Sequence, residues 1–161
     1  MKRSCFYKTL IAYFSAGGVT AALASRLAEA AQADLFEIRP EAPYSPADLR
    51  WTNPLARCNR EKIGKKDIPY VGRADAAAYD LVLLGFPIWY YAAPNIIETF
   101  LKQTDLTGKK IALFATSGGS EMGKTAAKLQ PLTKGEIIDA KRFAANADQS
   151  ALQQWLAGLN K

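Results

Sequence analysis

The sequence predicts an α/β fold, a doubly wound five-stranded parallel sheet in the strand order 2-1-3-4-5 with helices on both faces. Two observations support this prediction. Apolar runs alternate about five times with segments whose apolar residues recur at helical spacing. Several of these runs are continuously apolar, which is typical of strands buried on both faces of a parallel sheet. The 161 residues show no internal repeat, and we expect a single domain over residues 1–161.

The first strand and helix are predicted near the start of the chain. Tyr7 to Phe14 is an apolar, β-prone run that favours a central strand. From Thr20 to Ala33 the period changes to that of an amphipathic helix, because Val19, Leu23 and Leu27 recur at helical spacing. These three residues are therefore predicted to face the sheet.

A less regular segment surrounds the second predicted strand. Asp34 to Arg39 alternates apolar and polar residues and ends at Pro40, which suits a strand at the sheet edge. Prolines recur from Pro40 to Ala78, but residues 45–48 and 53–63 carry cap-and-proline patterns that predict two short helices. This connection is expected to form a rim over a ligand site, or simply to be anchored by Trp51.

Three further strand–helix units complete the predicted sheet. The third, fourth and fifth strands are predicted at residues 80–87, 109–116 and 136–140. The apolar core of the third strand is expected to end at Gly85 and a proline turn. The helices that follow these strands are predicted at residues 94–103, at residues 121–130, and beyond an Asp148 cap.

Loops of unusual composition follow the first, third and fourth predicted strands. In the order 2-1-3-4-5 these three strand ends are neighbours, so their loops are predicted to converge on one pocket. The candidate cofactor-binding residues in the three loops are Ser15, Ala16, Gly17, Gly18, Val19 and Thr20; Pro87, Ile88, Trp89 and Tyr90; and Thr116, Ser117, Gly118 and Gly119.

The chemistry of the loops predicts a phosphorylated, planar, heteroaromatic ligand. The first loop offers hydroxyls and amides at a helix N-terminus, which suits a phosphate. The second offers aromatic faces, and the third offers amides and hydroxyls for the polar edge of a ring. FMN fits this pattern better than a nicotinamide dinucleotide, because the Gly-x-Gly-x-x-Gly fingerprint is absent.

The loop sequences resemble those of the flavodoxins. The similar segments are Tyr13 to Ser15, Gly85 to Tyr90 and Phe114 to Gly119, and the resemblance covers nearly the whole chain. It implies a flavodoxin-like fold in which the first loop binds the FMN phosphate. By the same resemblance, the second loop lies along the isoalloxazine ring and the third lies at its pyrimidine side.

The first loop also departs from the flavodoxin pattern. Gly17 and Val19 stand where flavodoxins usually carry a hydroxyl residue and an asparagine. We therefore expect the phosphate to be bound chiefly by backbone amides. The loop after the fourth strand has no aromatic residue near Gly118, so Tyr44 or Trp51 is a candidate to cover the flavin instead.

The composition narrows the possible chemistry. The chain contains no His, which removes imidazole acid–base catalysis and His-containing metal sites, and we predict neither a catalytic residue nor a metal ligand. The net charge of +6 is spread along the chain, with its densest group at residues 50–73, and no nucleic-acid-binding motif is present. No apolar run reaches the roughly 20 residues of a membrane span, and a cytoplasmic location is expected.

Three functions remain open at this point. The first is a redox protein that transfers electrons through non-covalently bound FMN. The second is an FMN-dependent NAD(P)H:quinone-type oxidoreductase, and the third is a cofactor-poor binding module on the same fold. The expected partner is a redox protein or a small electron donor or acceptor such as NAD(P)H or a quinone, and the protein is expected to be a monomer or a homodimer.

Overall fold

The structure is a computed structural model that describes residues 8–15, 18–41, 70–72, 74–88, 93–116, 125–144 and 146–159. The strands in these residues are β1 Thr9–Tyr13, β2 Asp34–Glu37, β3 Arg39–Pro40, β4 Tyr70–Val71, β5 Leu81–Pro87, β6 Lys110–Thr116 and β7 Glu136–Phe143. The helices are α1 Val19–Ala31, α2 Asn95–Gln103, α3 Thr125–Leu129 and α4 Gln149–Leu159, and a 3-10 turn covers Gln130–Leu132.

The main sheet has five strands in the order β2-β1-β5-β6-β7, and every neighbouring pair in it is parallel. This is the predicted order 2-1-3-4-5, so the predicted fold is confirmed. The two short strands β3 and β4 form a separate antiparallel pair. As predicted from its alternating pattern, β2 lies at an edge of the main sheet.

Apolar side chains cover both faces of the central strands. On one face Leu84 and Leu113 pack with Phe100 of α2, and α3 contributes to the same cluster. On the other face Ile11 packs with Leu23 of α1, and α4 completes that cluster. Burial of one such side chain contributes about 1.5–3 kcal/mol. The continuously apolar runs therefore lie between two helical layers.

The terminal helix follows its sequence prediction closely. The Asp148 carboxylate accepts a hydrogen bond from the Ala151 N–H at 2.9 Å, which is a side-chain N-cap. The buried face of α4 consists of the four predicted residues, Leu152, Trp155, Leu156 and Leu159. Of the predicted helix at residues 121–130, the described part is α3 and the start of the 3-10 turn.

Three details differ from the sequence predictions. The third strand lies at Leu81–Pro87, close to the predicted residues 80–87, but its buried apolar run does not end at Gly85: Phe86 is fully buried as well, and the ring of Phe114 fills the space where a Gly85 side chain would lie. Val19 is 47% exposed rather than buried, and the buried face of α1 instead begins at Thr20. The last strand extends to Phe143 since an edge strand accommodates the exposed charges of Lys141 and Arg142.

Other predictions fall on residues outside the described ranges. These are the two short helices at residues 45–48 and 53–63 and the anchoring or rim role of Trp51. Among the helices that the structure does describe, none is long and apolar enough to cross a membrane.

We expect Gly85→Ala to lower the free energy of unfolding by about 1–3 kcal/mol, because the new methyl group overlaps the fully buried Phe114 ring. Urea unfolding measures this change. Gly158→Ala is the matched control, since no atom lies within 4 Å of its added Cβ and the site is helical. The control should be neutral or slightly stabilising. Equal stability of the two variants would contradict the packing assigned to Phe114.

We expect Thr104→Val to raise the free energy of unfolding by about 1 kcal/mol, because the buried Thr104 Oγ1 has no hydrogen-bond partner among the described residues. Thr99→Val is the comparison, since the Thr99 hydroxyl donates to the Asn95 carbonyl at 3.3 Å. Thermal unfolding of both variants should show a gain for Thr104→Val alone. A loss of stability in Thr104→Val would show that its hydroxyl has a partner.

Candidate cofactor site

The predicted loops begin at one edge of the sheet, where the central strands end. The Phe14 N–H donates to the Gly85 carbonyl at 2.9 Å, so β1 remains bonded to β5 beyond its last residue. The Ile88 N–H donates to the Thr116 carbonyl at 3.0 Å, which likewise extends the pairing of β5 with β6. A backbone hydrogen bond therefore joins the first residues of the second and third loops, and the first loop begins beside them on β1.

A hydroxyl pair links the first loop to the third. Thr20 Oγ1 and Thr116 Oγ1 lie 2.8 Å apart, and either oxygen can be the donor. Only 2% of Thr20 and 5% of Thr116 is exposed. This bond joins the start of α1 to the end of β6 across residues that are 96 positions apart in the chain. The sequence predicted that both residues border one pocket, but it did not predict their mutual bond.

The start of α1 has the donors that an anion requires. Gly18 caps the helix in a left-handed conformation with φ 92°, and among the residues that the structure describes no side chain forms a capping hydrogen bond there. The first turn has no acidic residue. The Ser15 hydroxyl accepts a hydrogen bond from the Gly18 N–H at 3.0 Å and still has its own proton to donate. The free N–H groups of a first helical turn and the helix dipole suit a phosphate.

The second loop is held partly by a buried side chain. Ile88 is 8% exposed and belongs to the core cluster on the α2 face, so its contribution to a ligand site comes from its position and its backbone. Pro87 is half-buried at the end of β5, opposite Thr116. The remaining predicted site residues lie outside the described ranges and stay predictions: Ala16, Gly17, Trp89, Tyr90, Ser117, Gly118 and Gly119.

A charged pair lies beside the end of β1. The Arg39 guanidinium donates to the Glu37 carboxylate at 3.1 Å, but both side chains are well exposed, so the pair contributes little to stability. Burial raises the pKa of Tyr13, and the negative charge of Glu37 raises that pKa further, whereas Arg39 opposes the shift. The phenol is therefore neutral at physiological pH. We did not predict this group from the sequence, although Glu37 and Arg39 are two residues apart on an edge segment.

The comparisons with known proteins decide the family. The Flavodoxin_4 family model, described as flavodoxin, matches residues 8–159. The chain belongs to this flavodoxin family. The predicted resemblance is thereby confirmed, and so is the prediction of FMN as the cofactor. The donors at the start of α1 are consistent with the phosphate of that cofactor.

Individual relatives support the same assignment. Flavodoxin 1 of Escherichia coli K12 is 33% identical over 77 residues, and the match covers 42% of this chain and 44% of the E. coli protein. The chain thus spans less than half the length of that relative. A candidate flavoprotein of known structure from Bacteroides eggerthii is 36% identical with a TM-score of 0.87, covering 96% of this chain and 99% of that one.

A third comparison supports the fold alone. A flavoprotein from Lactobacillus acidophilus, solved in complex with FMN, is 24% identical to this flavodoxin-family chain with a TM-score of 0.68. The match covers 92% of this chain and 98% of the other. Such a low identity shows that the two backbones follow the same path, and it transfers no individual ligand contact.

We expect Tyr13→Phe to lose less stability than the unmutated protein when the pH rises from about 9 to about 11. The folded protein raises the pKa of Tyr13 above the ordinary tyrosine value of 10.0, so the unfolded chain releases the proton first. The stability associated with this shift is complete below pH 10 and is lost as the pH passes the folded pKa. Urea unfolding at the two pH values measures the difference. Parallel losses in both proteins would contradict the raised pKa.

Proposed function

We propose that this flavodoxin-family chain is a redox protein that transfers electrons between partners through FMN bound non-covalently at the carboxyl edge of its sheet. The observation that carries the proposal is the set of hydrogen bonds that connects the three loops. Phe14 to Gly85, Ile88 to Thr116 and Thr20 to Thr116 link the ends of β1, β5 and β6. One elongated ligand can therefore contact all three loops.

The start of α1 is proposed to bind the phosphate. Its first turn offers backbone N–H groups without an acidic side chain to compete, and Ser15 adds a hydroxyl that is held by the Gly18 N–H. Gly17 and Val19 provide no side-chain donor. We therefore attribute most of the phosphate affinity to the backbone and to the helix dipole.

The second and third loops are proposed to contact the ring. Pro87, Trp89 and Tyr90 supply flat or apolar surface, and Ser117, Gly118 and Gly119 supply backbone amides for its polar edge. The redox chemistry itself is supplied by FMN, and the protein contributes binding, orientation and electrostatics. The chain has no His, and the Tyr13 phenol stays protonated, so no side chain is assigned a proton-transfer step.

The net charge favours a second candidate function. A chain of charge +6 attracts anionic partners, and the pyridine nucleotides are small anions. An FMN-dependent NAD(P)H:quinone-type oxidoreductase is therefore the alternative. In that case electrons would pass from the nucleotide to a quinone at the same flavin, without a partner protein.

An anaerobic reduction experiment separates the two functions. The purified protein is loaded with FMN, freed of excess flavin and mixed in separate samples with NADPH, NADH and dithionite. We expect dithionite to bleach the flavin band and both nucleotides to leave it unchanged, because a carrier receives electrons from a separate donor protein.

The other outcomes are equally informative. Rapid bleaching by a nucleotide, followed by recovery of the band on addition of a quinone, would replace the carrier with the oxidoreductase. A protein that retains no flavin band after incubation with FMN would contradict both redox functions and leave the cofactor-poor binding module. The dithionite sample is the control for flavin that is bound and reducible.

A further inference from the structure

One hydrogen bond joins two buried hydroxyl groups at the carboxyl edge of the sheet. Thr20 Oγ1 and Thr116 Oγ1 are separated by 2.8 Å, and at least nine-tenths of each residue is buried. A buried hydroxyl without a partner is costly, so this bond favours one fixed arrangement of the two residues. Only one of the two hydroxyl protons is used in this bond, so the proton of the accepting hydroxyl remains for another acceptor.

The bond joins the two ends of the proposed FMN site. Thr20 is the second residue of α1, the helix whose first turn is proposed to bind phosphate. Thr116 is the last residue of β6, where the third loop begins, and its carbonyl accepts the Ile88 N–H of the second loop. Thr116 is therefore bonded to both of the other loop regions.

We propose that Thr116 is a positioning residue, whose hydroxyl acts through Thr20 to fix the distance between the phosphate-binding turn of α1 and the ring-binding loops. The proposal rests on the function proposed above. A ligand that contacts both ends of the site binds more tightly when the distance between those ends is already fixed, since less of the protein must become ordered on binding. A ligand that occupies one end gains nothing from that distance.

Three ligands distinguish this role from direct contact. FMN spans both ends, riboflavin has the ring without the phosphate, and inorganic phosphate has no ring. Thr116→Val keeps the shape of the side chain and removes the hydroxyl. We expect it to weaken FMN binding roughly 3- to 10-fold, the size of the cost of ordering one side chain on binding, and to leave riboflavin and phosphate within about twofold. Flavin fluorescence and calorimetry measure the three affinities.

Further variants control for general damage. Thr116→Ser restores a hydroxyl and should recover most of the FMN affinity. Thr20→Val removes the same bond together with a hydroxyl in the proposed phosphate-binding turn, so it should weaken FMN binding at least as much as Thr116→Val, and the double variant should be no worse than Thr20→Val alone. Thr9→Val removes a buried hydroxyl at the opposite end of β1 and should leave FMN binding unchanged.

Each contrary result has a distinct meaning. Unchanged FMN affinity in Thr116→Val would overturn the proposal, and so would an equal loss of phosphate affinity, which would make the hydroxyl part of the phosphate contact. Weakening of all three ligands together with a lower melting temperature would show a merely structural role. If riboflavin binds too weakly to measure, the phosphate titration and the double variant decide. Failure of the unmutated protein to bind FMN would instead contradict the proposed function.

Discussion

The parallel pairing of β1, β5 and β6 up to their carboxyl ends is the constraint on which the site depends. Their backbones stay bonded where the loops depart, through Phe14 to Gly85 and Ile88 to Thr116. Parallel strands require crossover helices, so α1 returns over the sheet and brings Thr20 to Thr116. The same geometry places the positive end of α1 at the edge where the loops meet.

Much of the fold is encoded locally and could be predicted. Continuous apolar runs identify the central strands, and the Asp148 cap with its buried face identifies α4. Features that depend on distant neighbours could not be predicted. Gly85 resembles the end of an apolar run in sequence, and only the ring of Phe114 from the neighbouring strand explains why a residue without a side chain lies inside β5. The buried face of α1 likewise begins at Thr20 and leaves Val19 exposed, which depends on how the helix packs on the sheet.

The position of the candidate cofactor site could also be predicted from the sequence, but one of its hydrogen bonds could not. Strand order and loop composition predicted the convergence of the three loops, because the carboxyl ends of neighbouring parallel strands share one edge. The bond between Thr20 and Thr116 was not predicted, since it joins residues 96 positions apart whose side chains meet only when α1 packs on the sheet. One signal was available: Thr116 continues the alternation of Ala112 and Phe114, which face α1. Thr20 belongs to the buried face of that helix.

FMN is proposed to lie across the joined ends of β1, β5 and β6, and a crystal structure of the protein with FMN would test this placement. We expect a phosphate at the first turn of α1, the ring between the loops that follow β5 and β6, and an intact hydrogen bond between Thr20 and Thr116. A phosphate bound away from the start of α1, or a ring outside the two later loops, would contradict it.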